Sequence, residues 1–151
     1  WRANYPVDIF IAQLNKVADG FDDALAELKA KSKETTLSTT QMKTFLGECG
    51  VAETVAIHYR SVALQSQFIQ CRDALSKEQD PHKMKEMVAK LNHILKAEII
   101  LAKRLAILQG GDSRLGFEAS NHYFYVCNDL AEKVINCRYL LDFWLPQRLK
   151  G

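Results

Sequence analysis

Two places in this sequence could carry chemistry. The first is a carboxylate where an apolar residue is due. Leu91, Ile94, Leu95, Leu101, Ala102 and Leu105 recur at three- and four-residue steps, the spacing of one helix face, and Glu98 falls in the middle of that stripe. A carboxylate taken out of water there must be paired, hydrogen-bonded or protonated. The preceding helical segment offers His58, Tyr59, Arg60, Ser61, Gln65, Gln67 and Arg72 as partners. One reading is a buried pair of Glu98 with Arg60 or His58 that fixes the register of two helices. The other is a polar pocket between helices, a kind of site that bundles do build.

The second place is the run from Asp112 to Tyr125, which puts Arg114, Glu118, Asn121, His122, Tyr123 and Tyr125 close together. Aromatic rings beside hydrogen-bonding side chains suit a sugar or another polar ring, because ring faces stack while hydroxyls need partners. If Glu118 to His122 forms one helical turn, the two side chains meet at i,i+4 and could act as acid and base. Two other readings stand beside that one. The segment is a crossover tied down by its own polar groups, or it is a docking surface for another domain.

Other chemistries find no support. A di-iron bundle needs Glu-x-x-His on two helices, and that motif does not occur, so no metal and no cofactor is expected. There is no G-x-S-x-G elbow, and Gly110-Gly111 lacks the Gly-Lys-Ser/Thr of a phosphate loop. Cys49, Cys71, Cys127 and Cys137 form no C-x-x-C pair, and three of them lie in apolar helical patterns, where a free cysteine behaves as a small hydrophobe.

The elements that position these residues are helices. A first helix is predicted from Pro6 to about Lys33, with Phe10, Leu14, Val17, Phe21, Leu25 and Leu28 as its apolar stripe. A second is predicted from Gln41 to Lys77, with Ile57, Leu64, Phe68, Cys71 and Leu75 on one side and a break near Gly47 or Gly50. Asp80 and Pro81 mark the start of a third as N-cap and first residue, and Gly110-Gly111 its end. Asn128 or Asp129 is expected to cap a shorter fourth helix, which Pro146 closes. Strand spacing is suggested only over Tyr123 to Val126. The expectation is an all-α fold, an antiparallel up-and-down bundle of three long helices and one shorter one, forming a single domain over residues 1–151.

The chain has 151 residues, 48% of them apolar and 25% charged, which is the make-up of a folded domain large enough for its own core. A net charge of +2 with dispersed basic residues gives no nucleic-acid footprint. No apolar run approaches the ~18 residues of a membrane span. The opening Trp-Arg-Ala-Asn-Tyr-Pro reads as a processed product or, the favoured reading, a piece excised from a longer protein.

Several stretches resemble the C-terminal helical region of large bacterial proteins related to glycoside hydrolases, of the type found in Bacteroidetes. They are His58-Tyr-Arg-Ser-Val-Ala-Leu-Gln-Ser-Gln-Phe, Glu98-Ile-Ile-Leu-Ala-Lys-Arg-Leu, Asp112-Ser-Arg-Leu-Gly-Phe-Glu-Ala-Ser-Asn-His-Tyr-Phe-Tyr and Asp129-Leu-Ala-Glu-Lys-Val-Ile-Asn-Cys. The resemblance covers about residues 52 to 145 and is most specific over Asp112–Tyr125. It implies an accessory domain that packs on a catalytic (β/α)-type domain of the same parent chain, with carbohydrate as a further partner and an exported parent. It supplies no catalytic residue for this region. The alternatives are a free-standing protein-interaction bundle and a small enzyme that uses Glu98 or Glu118 with a histidine.

Overall fold

The computed structural model describes residues 4–117 and 125–149, and every described element is helical. Helix α1 is Val7–Ser32, α2 is Thr39–Leu75, α3 is Pro81–Gly111 and α4 is Cys127–Tyr139. A π-helical turn, Leu140–Trp144, carries α4 onward into a last short turn, α5, Leu145–Gln147.

Local chemistry sets the helix ends. Ser38 begins α2 with a capping box: its hydroxyl accepts from the Gln41 N–H at 3.3 Å, and its own N–H donates to Gln41 Oε1 at 2.9 Å. Asp80 Oδ1 accepts from the His82 N–H at 2.9 Å and Pro81 opens α3, as the sequence predicts. At α4 the carboxylate that satisfies the start is Asp129, which accepts from the Val126 N–H at 2.8 Å, but the helix begins two residues before it, at Cys127.

Two sequence expectations fail here. Helix α2 runs unbroken through Gly47 and Gly50 for 37 residues, roughly 55 Å at the usual rise. Each glycine costs only ~1 kcal/mol relative to alanine, and α2 packs on α1 along one side and on α3 along another. Pro146 does not close α4, because the π turn ahead of it lets the chain wind on and Pro146 sits in the first turn of α5. A π turn widens the ladder at the point where proline has no N–H to give.

Partners across the helices run in opposite order along the chain. Cys71, Ser61 and Glu53 on α2 meet Met87, Glu98 and Arg104 on α3, and Glu98 and Gln109 on α3 meet Lys133 and Cys127 on α4. These pairings are consistent with an up-and-down antiparallel order. Helices α2, α3 and α4 share one core in two parts. One part gathers Cys71, Leu75, Leu91, Leu95, Cys137, Leu141 and Leu145, and the other Ile57, Leu105 and Leu130.

Helix α1 stands apart from that core. Among the described elements it packs on α2 alone. Its only buried residues are Ile11, Ala18 and Leu25, seven apart, and α2 buries Cys49, Ala56 and Ala63 at the same spacing. Half of the predicted stripe of α1 is uncovered: Val17 and Phe21 are each 38% exposed and Leu28 is 44% exposed, while Phe10 and Leu14 are half-buried and Leu25 is buried.

Candidate functional site

Glu98 lies where the sequence places it, inside the apolar stripe of α3, and it is only 4% exposed. Its cation is Lys133 of α4, whose ammonium contacts Glu98 Oε1 directly. The hydroxyl of Ser61 on α2 donates to the same oxygen at 2.5 Å. That hydroxyl in turn accepts from Lys133 Nζ at 2.8 Å and from Gln65 Nε2 at 3.0 Å. One carboxylate thus ties together all three core helices. Among the described residues, its second oxygen, Oε2, is enclosed and has no hydrogen-bond partner.

The partners expected for Glu98 are therefore corrected. Arg60 turns the other way, to α1, where Nη2 donates to Asp19 Oδ1 at 2.8 Å and Asp22 Oδ2 at 2.7 Å. Position 60 lies on the α1 side of α2, whereas Ser61, one residue on, turns toward α3. His58 lines a neighbouring cleft without pairing to Glu98. Of the partners read from α2, Ser61 and Gln65 are the ones that join the cluster. Lys133 was missed. It lies three residues after Leu130 and four before Cys137, so it interrupts the core face of α4 as Glu98 interrupts that of α3. Two opposite charges breaking two facing stripes is the signal that could have paired them.

Two clefts flank the cluster and share Gln65 and Lys133. One, of about 290 Å³, is lined by His58, Ser61, Tyr125 and Asp129 among others. The other, of about 260 Å³, is mainly apolar, with Leu64, Phe68, Ile69 and Leu140 in its walls beside Glu98. Burial lowers the pKa of His58, and the Lys133 charge lowers it further. Burial also raises the pKa of the Tyr125 phenol.

A serine 2.8 Å from a lysine amine is a geometry in which a neutral lysine can activate the hydroxyl. Here the hydroxyl hydrogen already goes to Glu98, and the ammonium is paired with the same carboxylate. Ser61 is itself buried. The cluster therefore acts as a polar clamp and does not favour a nucleophile.

Of the residues singled out in the Asp112–Tyr125 segment, Glu118, Asn121, His122 and Tyr123 lie outside the described residues. Arg114 is spent on its own turn: its backbone N–H, Nε and Nη2 all donate to the Asp112 carboxylate, at 3.0, 2.9 and 2.6 Å. The Arg114 guanidinium holds the Asp112 pKa down at about 2. Tyr125 packs against Gly116, which has φ +84°. A Cβ at Gly116 would stand 2.7 Å from the Tyr125 carbonyl oxygen and 2.8 Å from its ring. Only glycine suits that position. Arg114 and Tyr125 do not form one site: Arg114 borders α2 near Gly47, while Tyr125 lines the His58 cleft.

The cysteines are free. Cys49, Cys71 and Cys137 are buried as expected, and the exposed Cys127 donates its S–H to Gln109 Oε1 at 2.8 Å. Among the described residues no group of metal-ligating side chains occurs, and no helix is long and apolar enough to cross a membrane. In comparisons with known proteins, no family model matches the chain, and no curated protein or solved structure matches it either.

Proposed function

We propose that this bundle is an accessory domain that packs on and stabilises a catalytic domain of a carbohydrate-active parent chain, with α1 as its docking face. The observation that supports docking is the uncovered side of α1. Val17, Phe21 and Leu28 lie exposed at helical spacing on a helix whose one neighbour among the described elements is α2. A contiguous apolar stripe left in water marks a place where something else binds. The class of that neighbour, a glycoside-hydrolase-like catalytic domain, rests on the resemblance of residues 52 to 145.

A second apolar row, on α4 and the π turn that follows it, favours the interaction bundle as the other reading. Ile135, Tyr139 and Phe143 are all well exposed, and Tyr139 and Phe143 stack at 5.5 Å between ring centroids. Two apolar faces on helices that do not touch suit a module that bridges partners.

The test uses the chain encoded by the complete reading frame, with Val17→Asp and Phe21→Asp introduced together. An accessory domain predicts that the catalytic part unfolds several degrees lower in the double variant, while the 151-residue bundle keeps its own transition. An unmoved transition of the catalytic part, or a frame that encodes no catalytic domain, ends the accessory reading. If the double variant then loses a protein partner that the unaltered chain captures, the interaction bundle takes its place.

A further inference from the structure

The apolar cleft beside Glu98 has the makings of a ligand site of its own. Its walls are Leu64, Phe68 and Ile69 of α2, Ile94 of α3 and Leu140 after α4, and its volume is about 260 Å³. That is near the lower end of what small-molecule pockets offer, so it suits a molecule of one ring or a short branched chain. Its polar groups are few and placed together: the Glu98 carboxylate, the Lys133 ammonium and the Gln65 amide.

The hydrogen bonding of that polar end is incomplete in a specific way. Glu98 Oε1 is filled by Ser61 and Lys133, whereas Oε2 is enclosed without a donor. An enclosed carboxylate oxygen without a donor carries a desolvation penalty that a ligand or a fixed water would remove. On the other side, Lys133 directs hydrogens to Glu98 and Ser61, and an ammonium has three to give.

The cleft therefore asks for one group that both donates and accepts. An ammonium would donate to Glu98 but sit against Lys133. A carboxylate would accept from Lys133 but sit against Glu98. A neutral hydroxyl does both: its hydrogen goes to Glu98 Oε2 and its oxygen takes the remaining hydrogen of Lys133. A polyol such as a sugar is excluded by the rest of the wall, where its other hydroxyls would lie against Leu64, Phe68, Ile69 and Leu140 with no partner. We propose that this cleft binds a small apolar alcohol or phenol, with the hydroxyl seated between Glu98 and Lys133 and the hydrocarbon against the α2 and α4 side chains.

The experiment titrates the 151-residue chain, labelled at its Leu and Ile methyl groups, with phenol, cyclohexanol, benzene, benzylamine and benzoate. The expected result is saturable shifts at Leu64, Ile69, Ile94 and Leu140 with phenol and cyclohexanol. Benzene and both charged probes should bind at least tenfold more weakly. Ile69→Trp, which fills the cleft without touching Glu98 or Lys133, should abolish those shifts and leave the unfolding transition in place. Glu98→Gln should erase most of the preference of phenol over benzene, provided the variant keeps its methyl spectrum. The proposal is overturned if benzene binds as tightly as phenol, which would make the cleft a plain apolar crevice. It is equally overturned if none of the five binds, with a crystallographic water holding Glu98 Oε2 instead.

Discussion

Helices α1 and α3 are both long, 26 and 31 residues, and both repeat apolar side chains at helical spacing. What differs is what covers them. Helix α3 lies against α2 and α4 and buries Leu91, Ile94, Leu95, Ala102 and Leu105, with Leu91 fully enclosed. Among the described elements helix α1 touches α2 alone, and it buries three residues along a narrow line. Periodicity reports that a face is apolar. It does not report whether the cover for that face comes from the same chain. The same contrast separates two kinds of charged residue: Arg60, at the edge of the α1–α2 contact, pairs with two exposed aspartates, while Lys133 is drawn into the core to meet Glu98.

The contrast is sharpest in the energetics of substitution. Leu91→Ala should cost about 4 kcal/mol, because it leaves a cavity among three helices that cannot close over it. Urea unfolding followed by circular dichroism measures this directly, and a loss under about 1 kcal/mol would mean the three-helix core is not tightly packed. Lys133→Ala should come next. It leaves Glu98 buried without its cation, and because the Lys133 side chain is itself 30% exposed the cost is nearer about 2 kcal/mol than the larger value of a fully enclosed pair. Joining it to Glu98→Gln should recover part of that loss. If the double variant is no better than Lys133→Ala, the carboxylate is not what makes the single substitution costly.

How much of this was legible beforehand follows from the same physics. The four helices and the start of α3 were readable, since Asp80-Pro81 and the helical spacing act locally. The buried state of Glu98 was readable because a stripe with one polar member is visible in sequence. Its partner was not read, because choosing between Arg60 and Lys133 requires knowing which side of α2 faces α1. The uncovered side of α1 was hidden for a related reason: Phe21 looks like a core residue until the neighbours of α1 are counted. The continuity of α2 through Gly47 and Gly50, and the winding of the chain past Pro146, depend on tertiary packing that overrides local preference.

The α1–α2 contact gives the third expectation. Ala18 has no exposed surface and lies on the buried line of α1, the helix that packs on α2. Ala18→Leu should push the helices apart at a cost of about 1–2 kcal/mol. The loss should be local, seen as faster amide exchange in α1 while the α2–α4 core keeps its protection. Uniform acceleration across all helices would show that α1 belongs to the core after all. Phe21→Ala should then cost less than about 1 kcal/mol, since a ring already 38% exposed loses little burial on removal. A cost matching that of Leu91→Ala would erase the distinction between the two helices.

The smallest expected effect is a pH dependence at His58, where α2 meets the core cluster. Desolvation, and then the charge of Lys133, hold the His58 pKa below its ordinary value of 6.5 in the folded chain. The unfolded chain therefore takes up a proton first as the pH falls, so this group contributes full stability above about pH 6.5. Its contribution declines as the pH drops from there to the folded-state pKa and changes no further below it. His58→Gln should flatten that part of the stability profile. Lys133→Met should move the His58 titration, followed by the NMR shift of its imidazole Cε1–H, part of the way back toward the ordinary value. A His58 that titrates at or above 6.5 in the unaltered chain would mean that Lys133 does not face this cleft, and the link from the His58 side of α2 to the Glu98 cluster would be lost.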